Sequence, residues 1–132
     1  MNKILIVEDD LNSRKFISKV LSKYGECDIV VNGLEAVEAY MMSIKDKEYY
    51  DLICLDIMMP KVDGIKVLKI IRDLEIQNNI GNDKKAKIIM TTALGETEVV
   101  KAALEYDCDA FASKPIDVEK LLEVIKKIGI KI

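Results

Sequence analysis

Four short apolar runs in the chain are each followed directly by charged or hydroxyl side chains that could carry chemistry. These side chains are Glu8, Asp9 and Asp10 after Ile4–Val7, Asp56 after Leu52–Leu55, Thr91 and Thr92 after Ile88–Met90, and Lys114 after Ala110–Ser113. If the runs are parallel strands of one sheet, all of these groups emerge at its carboxyl edge, where open α/β sheets bind their ligands. The pattern therefore predicts one polar site at that edge.

The carboxylates and the lysine of this set suit phosphoryl transfer assisted by a metal ion. Taken alone, Asp10 and its neighbours could simply cap a helix, and Thr92 and Lys114 could be ordinary residues at strand ends. In the strand order 2-1-3-4-5, however, Asp9 and Asp56 lie side by side, and crowded carboxylates raise each other's pKa unless they share a cation. An all-oxygen cluster suits Mg²⁺. The metal ion and the ammonium group would neutralise a phosphoryl group under attack by a carboxylate, while a hydroxyl donates to its oxygens.

Apolar spacing between the runs predicts five helices that alternate with five strands. The helical stripes are Phe16, Ile17, Val20, Leu21 and Tyr24; Leu34, Val37, Met41 and Ile44; Val67, Leu68, Ile71 and Leu74; Val99, Val100, Ala103 and Leu104; and Val118, Leu121, Leu122, Ile125 and Ile128. The remaining strand is predicted at Cys27–Val31. Continuous apolar strands are typical of a parallel sheet covered on both faces, so we predict a doubly wound (βα)5 α/β sandwich of three layers.

Turn-forming residues support these boundaries. Gly25 is predicted to end the first helix, Pro60 and Gly64 bracket the loop after the third strand, and Asp117 is placed to cap the last helix. The polar stretch Gln77–Lys85 connects the third helix to the fourth strand. A helix-to-strand connection lies at the amino edge of such a sheet, so we interpret this stretch as surface, away from the carboxylates.

Length and composition predict a single domain over residues 1–132. The chain has 132 residues, 50% of them hydrophobic, and a formal net charge of −3, so it lacks the basic character of nucleic-acid-binding domains. No apolar stretch approaches the length of a signal-peptide core or a membrane span, which predicts a cytoplasmic protein with no membrane partner. Three cysteines without C-x-x-C spacing and no histidine argue against a zinc-type site.

Considered together, the motifs resemble the receiver domain of bacterial two-component response regulators, and the similarity covers essentially the whole chain. The stretches that carry it are Ile4–Asp10, Asn32–Ala36, Asp56–Pro60 with Asp63 and Gly64, Thr92–Ala93, and Lys114–Pro115. Each is a weak signal alone, but their order and spacing are specific. The resemblance implies a flavodoxin-like fold with the sheet order 2-1-3-4-5, and a signalling domain rather than an enzyme.

The resemblance also implies a role for each residue of the acidic site. Asp56 would be the phosphoacceptor, taking a phosphoryl group from a sensor histidine kinase or a phosphotransfer protein. Asp9 and Asp56 would bind Mg²⁺ (or Mn²⁺) directly, the backbone carbonyl of Met58 would complete the protein ligands, and Glu8 would contribute through water.

Further roles are implied for the residues that follow the fourth and fifth strands. Thr92 would bond the phosphoryl group and Lys114 would pair with it, with a cis peptide bond between Lys114 and Pro115. Phe111 stands where the family has its switch aromatic, so Thr92 and Phe111 would form the switch. This switch would change the binding of a downstream protein target at the face formed by helix 4, strand 5 and helix 5.

Three other hypotheses fit parts of the same pattern. A phosphatase of the haloacid dehalogenase type is a poor match, because Met58 and Pro60 stand where its second acid and hydroxyl are expected. In a flavodoxin-type electron carrier, the acids at 8–10 would repel the flavin phosphate. A receiver-like interaction module that is not phosphorylated remains the alternative. Because the chain ends just after the fifth helix, we expect a stand-alone receiver. A piece of a longer regulator is the alternative.

Overall fold

The computed structural model describes residues 2–59, 63–93 and 97–132, and for residues 97–100 only the backbone. Its elements are β1 (Asn2–Val7), α1 (Leu11–Leu21), β2 (Gly25–Val30), α2 (Gly33–Asp46), β3 (Leu52–Asp56), α3 (Gly64–Gln77), β4 (Lys87–Thr92), α4 (Thr97–Glu105), β5 (Ala110–Ser113) and α5 (Val118–Lys127). Pro60 lies outside the described residues, as do the side chains of Val99 and Val100 from the predicted fourth stripe. The alternation of five strands and five helices is confirmed.

All strand pairs are parallel, and the sheet has the predicted order β2-β1-β3-β4-β5. The register aligns the carboxyl ends of the three central strands: Val7 pairs with Leu55, and the next residue of β3, Asp56, pairs with Thr91. Thr92 in turn pairs with Ser113 of β5. This register brings the polar residues after β1, β3, β4 and β5 to one edge.

Side chains of each strand alternate between two cores, because successive residues of a strand point to opposite faces. Leu5 and Val7 of β1 pack in the core that is covered by α2, α3 and α4. Ile4 and Ile6 pack in the core that is covered by α1 and α5. Complete burial of each such side chain contributes roughly 1.5–3 kcal/mol, so the two cores provide the main support of the sheet.

Three predicted stripes have exposed members, among them Phe16 of α1 at 42%, although Val37, Ile44 and Ala103 pack in the core as predicted. In α2, Leu34 and Met41 are 59% and 52% exposed. The buried face of this helix instead contains Ala36, Tyr40 and Ser43. Leu104 of α4 is likewise 60% exposed, so these parts of the stripe prediction were wrong.

The helix ends are fixed by side-chain caps. Asn32, Asp63 and Asp117 each accept a backbone N–H three residues ahead, at the starts of α2, α3 and α5, and the predicted cap at Asp117 is confirmed. Gly25 does not end α1, which stops at Leu21, but opens β2. Within the described ranges, no helix combines the length and apolar character needed to span a bilayer.

Candidate functional site

The end of β3 is held against the start of α3 by a close backbone contact at Gly64. The Gly64 N–H donates to the Ile57 carbonyl at 2.8 Å. A Cβ at this position would overlap the Asp56 carbonyl oxygen and lie 2.7 Å from the Ile57 Cα. Only glycine leaves room for this approach, so the bracketing role that the sequence suggested for Gly64 has a steric basis.

Lys114 joins two carboxylates at the carboxyl edge of the sheet. Its Nζ lies 2.8 Å from Glu8 Oε1 and 3.1 Å from Asp56 Oδ2. The Lys114 N–H donates to the Thr92 carbonyl at 2.7 Å, which continues the β4–β5 pairing one step past the strand. The peptide bond between Lys114 and Pro115 is cis, as the family resemblance implied.

Three carboxylates form a cluster that suits a divalent cation. Glu8, Asp9 and Asp56 each offer an oxygen, and these oxygens lie within 4.8 Å of one another. Glu8 Oε1 is buried and, despite the nearby ammonium of Lys114, makes no hydrogen bond of acceptable geometry within the described residues. An all-oxygen donor set with such a buried acceptor matches the preferences of Mg²⁺. The residues present therefore suit the metal that the sequence predicted.

The two acids at the end of β1 differ sharply in exposure. Glu8 is only 1% exposed, whereas Asp9 is exposed. The family resemblance implied a role through water for Glu8, and its ion pair with Lys114 was not predicted. The structure thus brings Glu8, Asp9, Asp56 and Lys114 together, with Glu8 at the buried side of the cluster.

Arg14 is part of the site and was missed by the sequence analysis. Its Nη1 donates to the carbonyls of Glu8 and Asp9, at 3.3 Å and 3.5 Å. The available signal was a basic residue one turn into the helix that follows the acidic run. Asp10 caps this helix by accepting the Ser13 N–H at 2.9 Å, and that bond lowers the pKa of Asp10.

The pKa of Asp56 reflects its crowded and buried position. Burial, together with the neighbouring Glu8 carboxylate, raises the pKa of Asp56 to about 7, and the Lys114 ammonium partly opposes this rise. For Lys114, burial disfavours the charged form, but the neighbouring Glu8 and Asp56 carboxylates outweigh it and the pKa of the ammonium is raised. The crowding effect that the sequence predicted is present, with Glu8 as the neighbour that causes it.

We expect Asp56→Asn to stabilise the metal-free protein at alkaline pH. The folded-state pKa of Asp56, about 7, exceeds the ordinary value of about 3.9, so the stability that Asp56 contributes falls as the pH rises between those values. At pH 8 in EDTA the variant should be more stable by up to about 4 kcal/mol, and the difference should shrink toward pH 5. Urea unfolding across this pH range provides the measurement. A difference that does not change with pH would contradict the prediction.

Thr92 and Phe111 lie on the opposite face of the sheet from the Lys114 ion pairs. Thr92 is buried, and its hydroxyl donates to the Ala93 carbonyl at 3.2 Å. Phe111 pairs in register with Met90, is half-buried, and packs against the core under α2, α3 and α4. Because Met90 and Thr92 are two residues apart in one strand, their side chains share a face. The ring of Phe111 therefore lies on the same side of the sheet as Thr92.

Residues 4–126 match the family model of the response regulator receiver domain. The chain belongs to this family. It is 36% identical over 130 residues to the chemotaxis protein CheY of Bacillus subtilis (strain 168), with 96% of each chain covered. The protein is therefore a receiver domain of two-component phosphorelay signalling, as the sequence motifs indicated.

Solved receiver structures share the fold over nearly the whole chain. The CheX–CheY–BeF3–Mg²⁺ complex from Borrelia burgdorferi contains a chain with 32% identity and a TM-score of 0.80, with 98% of this chain and 90% of that chain covered. The complex of Saccharomyces cerevisiae Ypd1 with the receiver domain of Ssk1 gives 29% identity and a TM-score of 0.82, with coverage of 97% and 88%. The predicted flavodoxin-like receiver fold is confirmed.

Proposed function

We propose that Asp56 accepts a phosphoryl group from a sensor histidine kinase or a phosphotransfer protein. The observation that carries this proposal is the contact of Lys114 with both Glu8 and Asp56, beside a carboxylate cluster that suits a divalent metal. A carboxylate oxygen of Asp56 attacks phosphorus, and the bond to the donor's leaving group breaks with its electron pair leaving on that group. The product is an aspartyl phosphate.

The metal-binding residues in this proposal are Asp9 and Asp56 directly, Glu8 through water, and Met58 through its backbone carbonyl. The Met58 N–H already donates to Asp56 Oδ1 at 3.3 Å, which orients the carboxylate. Bound Mg²⁺ or Mn²⁺ would neutralise negative charge on the entering phosphoryl group. The solved Borrelia complex contains Mg²⁺ and BeF3, which supports the use of a divalent ion here.

Lys114 and Thr92 would hold the phosphoryl group. The Lys114 ammonium lies 3.1 Å from Asp56 Oδ2, so a small displacement lets it pair with a phosphoryl oxygen on that carboxylate. Thr92 ends β4, next to the strand that carries Asp56, and its hydroxyl would donate to another phosphoryl oxygen. Movement of Thr92 toward Asp56 would open space for the ring of Phe111.

The output surface in this proposal is the face of α4, β5 and α5, where a downstream protein target would bind. A groove between β5 and α5, lined by Phe111, Pro115, Lys120 and Val124 among others, connects this face to the ring of Phe111. We further propose that residues 1–132 form one receiver domain, that it works in the cytoplasm, and that its chemistry is its own phosphorylation and dephosphorylation.

Incubation with acetyl phosphate tests the proposal, and intact-mass spectrometry is the measurement. With Mg²⁺ the mass should increase by one phosphoryl group, and with EDTA it should not. Asp9→Ala should reduce Mg²⁺ affinity and phosphorylation at least about tenfold, because it removes a charged ligand from the site. The matched control is Asp10→Asn, which alters the neighbouring acid and preserves a helix cap. If the protein is instead an interaction module that is not phosphorylated, its mass should stay unchanged both with Mg²⁺ and with EDTA.

A further inference from the structure

β5 is a short strand at the edge of the sheet, and its apolar residues pack against the two cores without being fully buried. It has four residues, Ala110–Ser113, and none of their side chains is fully buried. Register is specified strongly where one face of a strand is buried, and weakly where it is not. Lys114 follows the strand directly. The register of β5 against β4 therefore decides where the Lys114 ammonium lies relative to Asp56.

Asp109 fixes the start of this strand to β4. Its N–H donates to the Ile88 carbonyl at 2.9 Å, and its Oδ2 accepts the Ile88 N–H at 2.7 Å. The same Oδ2 accepts Nη2 of Arg72 from α3 at 2.9 Å. Arg72 also donates from Nε to the Asp107 carbonyl at 3.0 Å, so one guanidinium holds the turn before β5 at two points.

Arg72 is itself held rigidly by groups inside the protein. Its Nη1 lies 2.6 Å from Oε1 of the buried Glu75 and donates to the Ala86 carbonyl at 2.9 Å. Glu75 Oε2 accepts the Tyr40 hydroxyl at 2.8 Å and the Ala86 N–H at 2.9 Å. The guanidinium that reaches Asp109 is thus an element of fixed geometry, tied to α2, α3 and the start of β4.

We infer that Arg72 and Asp109 are positioning residues for phosphoryl transfer, because they fix the register of β5 and so place Lys114 beside Asp56. This inference rests on the proposed function. Asp109 precedes Lys114 by five positions, about 16 Å along an extended strand, so neither residue of the pair touches the phosphoryl site. At the other end of the strand, the bond from the Lys114 N–H to the Thr92 carbonyl reports whether the register holds.

A double-mutant cycle with Lys114 tests the inference. Asp109→Ala should lower the rate of phosphorylation at saturating Mg²⁺ and acetyl phosphate about tenfold, while Mg²⁺ affinity measured by calorimetry stays within about twofold, since the carboxylates of the metal site follow β1 and β3. In a Lys114→Met background the same change should have no further effect. Hydrogen exchange at the Lys114 amide should be faster in Asp109→Ala. Asp107→Asn, in the same turn, is the matched control and should match wild type.

Three results would overturn the inference. An equal loss in the Lys114→Met background means that Asp109 acts on stability and not through Lys114. An unchanged rate in Asp109→Ala, or in Lys114→Met itself, also refutes it. If wild type takes up no phosphoryl group, the proposed function fails, whereas faster exchange at the Lys114 amide would still support the register clamp. Arg72→Met repeats the cycle from the other partner, with unfolding measured first to establish that each variant is folded.

Discussion

Asp56→Asn is expected to abolish uptake of a phosphoryl group from acetyl phosphate in the presence of Mg²⁺. The amide of asparagine is a far weaker nucleophile than a carboxylate, and it also removes one negative ligand from the proposed metal site. Among the acids at the carboxyl edge, Asp56 is the one that ends a central strand and contacts Lys114 at 3.1 Å. Intact-mass spectrometry should therefore show an unmodified protein under conditions that fully modify wild type.

The matched control for this change is Asp63→Asn. Asp63 lies on the same β3–α3 connection and caps α3 by accepting the Lys66 N–H at 3.0 Å, a role that asparagine also performs. This variant should be phosphorylated like wild type. A phosphoadduct that persists in Asp56→Asn would assign the phosphoacceptor to another residue, and mapping by peptide mass spectrometry would identify it.

The strands of the sheet could be predicted from the sequence because the apolar runs that indicate them are local. Four of the five strands contain a continuous apolar run, such as Ile4–Val7 and Leu52–Leu55, and the family resemblance supplied the order of the strands. The face of α2 could not be predicted in the same way, because Leu34 and Met41 have helical spacing, as do Ala36, Tyr40 and Ser43. The Tyr40 hydroxyl of the second set donates to Glu75 of α3 at 2.8 Å, and helical spacing does not encode such a tertiary contact.

The site was predicted in its residues but not in its internal geometry. The sequence placed Asp9 beside Asp56 and gave Glu8 an indirect role. In the structure Glu8 is the buried partner of Lys114, because the residue after β1 continues the strand's alternation and points to the same face as Asp56. Arg14 was missed because it contacts backbone carbonyls, and such contacts leave no mark in the pattern of side-chain types.

The cluster of Tyr40, Arg72 and Glu75 at the amino edge of the sheet was not predicted from the sequence. Glu75 occupies a position one turn after Ile71, on the apolar face of α3, and is 1% exposed. A charged residue on an apolar stripe was the available signal. Its ion-pair partner Arg72 lies three residues away, a spacing that the sequence does show, but its other two partners lie 35 and 11 positions away and could not be found from the sequence alone.

We expect Glu75→Ala to be the most destabilising single change in this cluster, with a loss of about 3–5 kcal/mol in the free energy of unfolding. Without the carboxylate, Arg72 loses its 2.6 Å ion pair, and the Tyr40 hydroxyl and the Ala86 N–H lose a buried acceptor. Glu75→Gln should cost less, because it keeps one acceptor oxygen. Urea unfolding followed by circular dichroism gives the measurement.

Asp73→Ala is the control for this change, since it removes an acid from the same helix at an exposed position and should alter stability by less than about 0.5 kcal/mol. Buried ion pairs are often no more stabilising than apolar groups of the same shape, but removal of one partner leaves the other without compensation. Replacement of the whole cluster by apolar residues of similar shape should therefore cost much less stability than Glu75→Ala alone. If Glu75→Ala unfolds with the same midpoint as Asp73→Ala, then Arg72 and Tyr40 find water or other acceptors at no cost. In that case the cluster would not be the rigid anchor of β5 that its short contacts indicate.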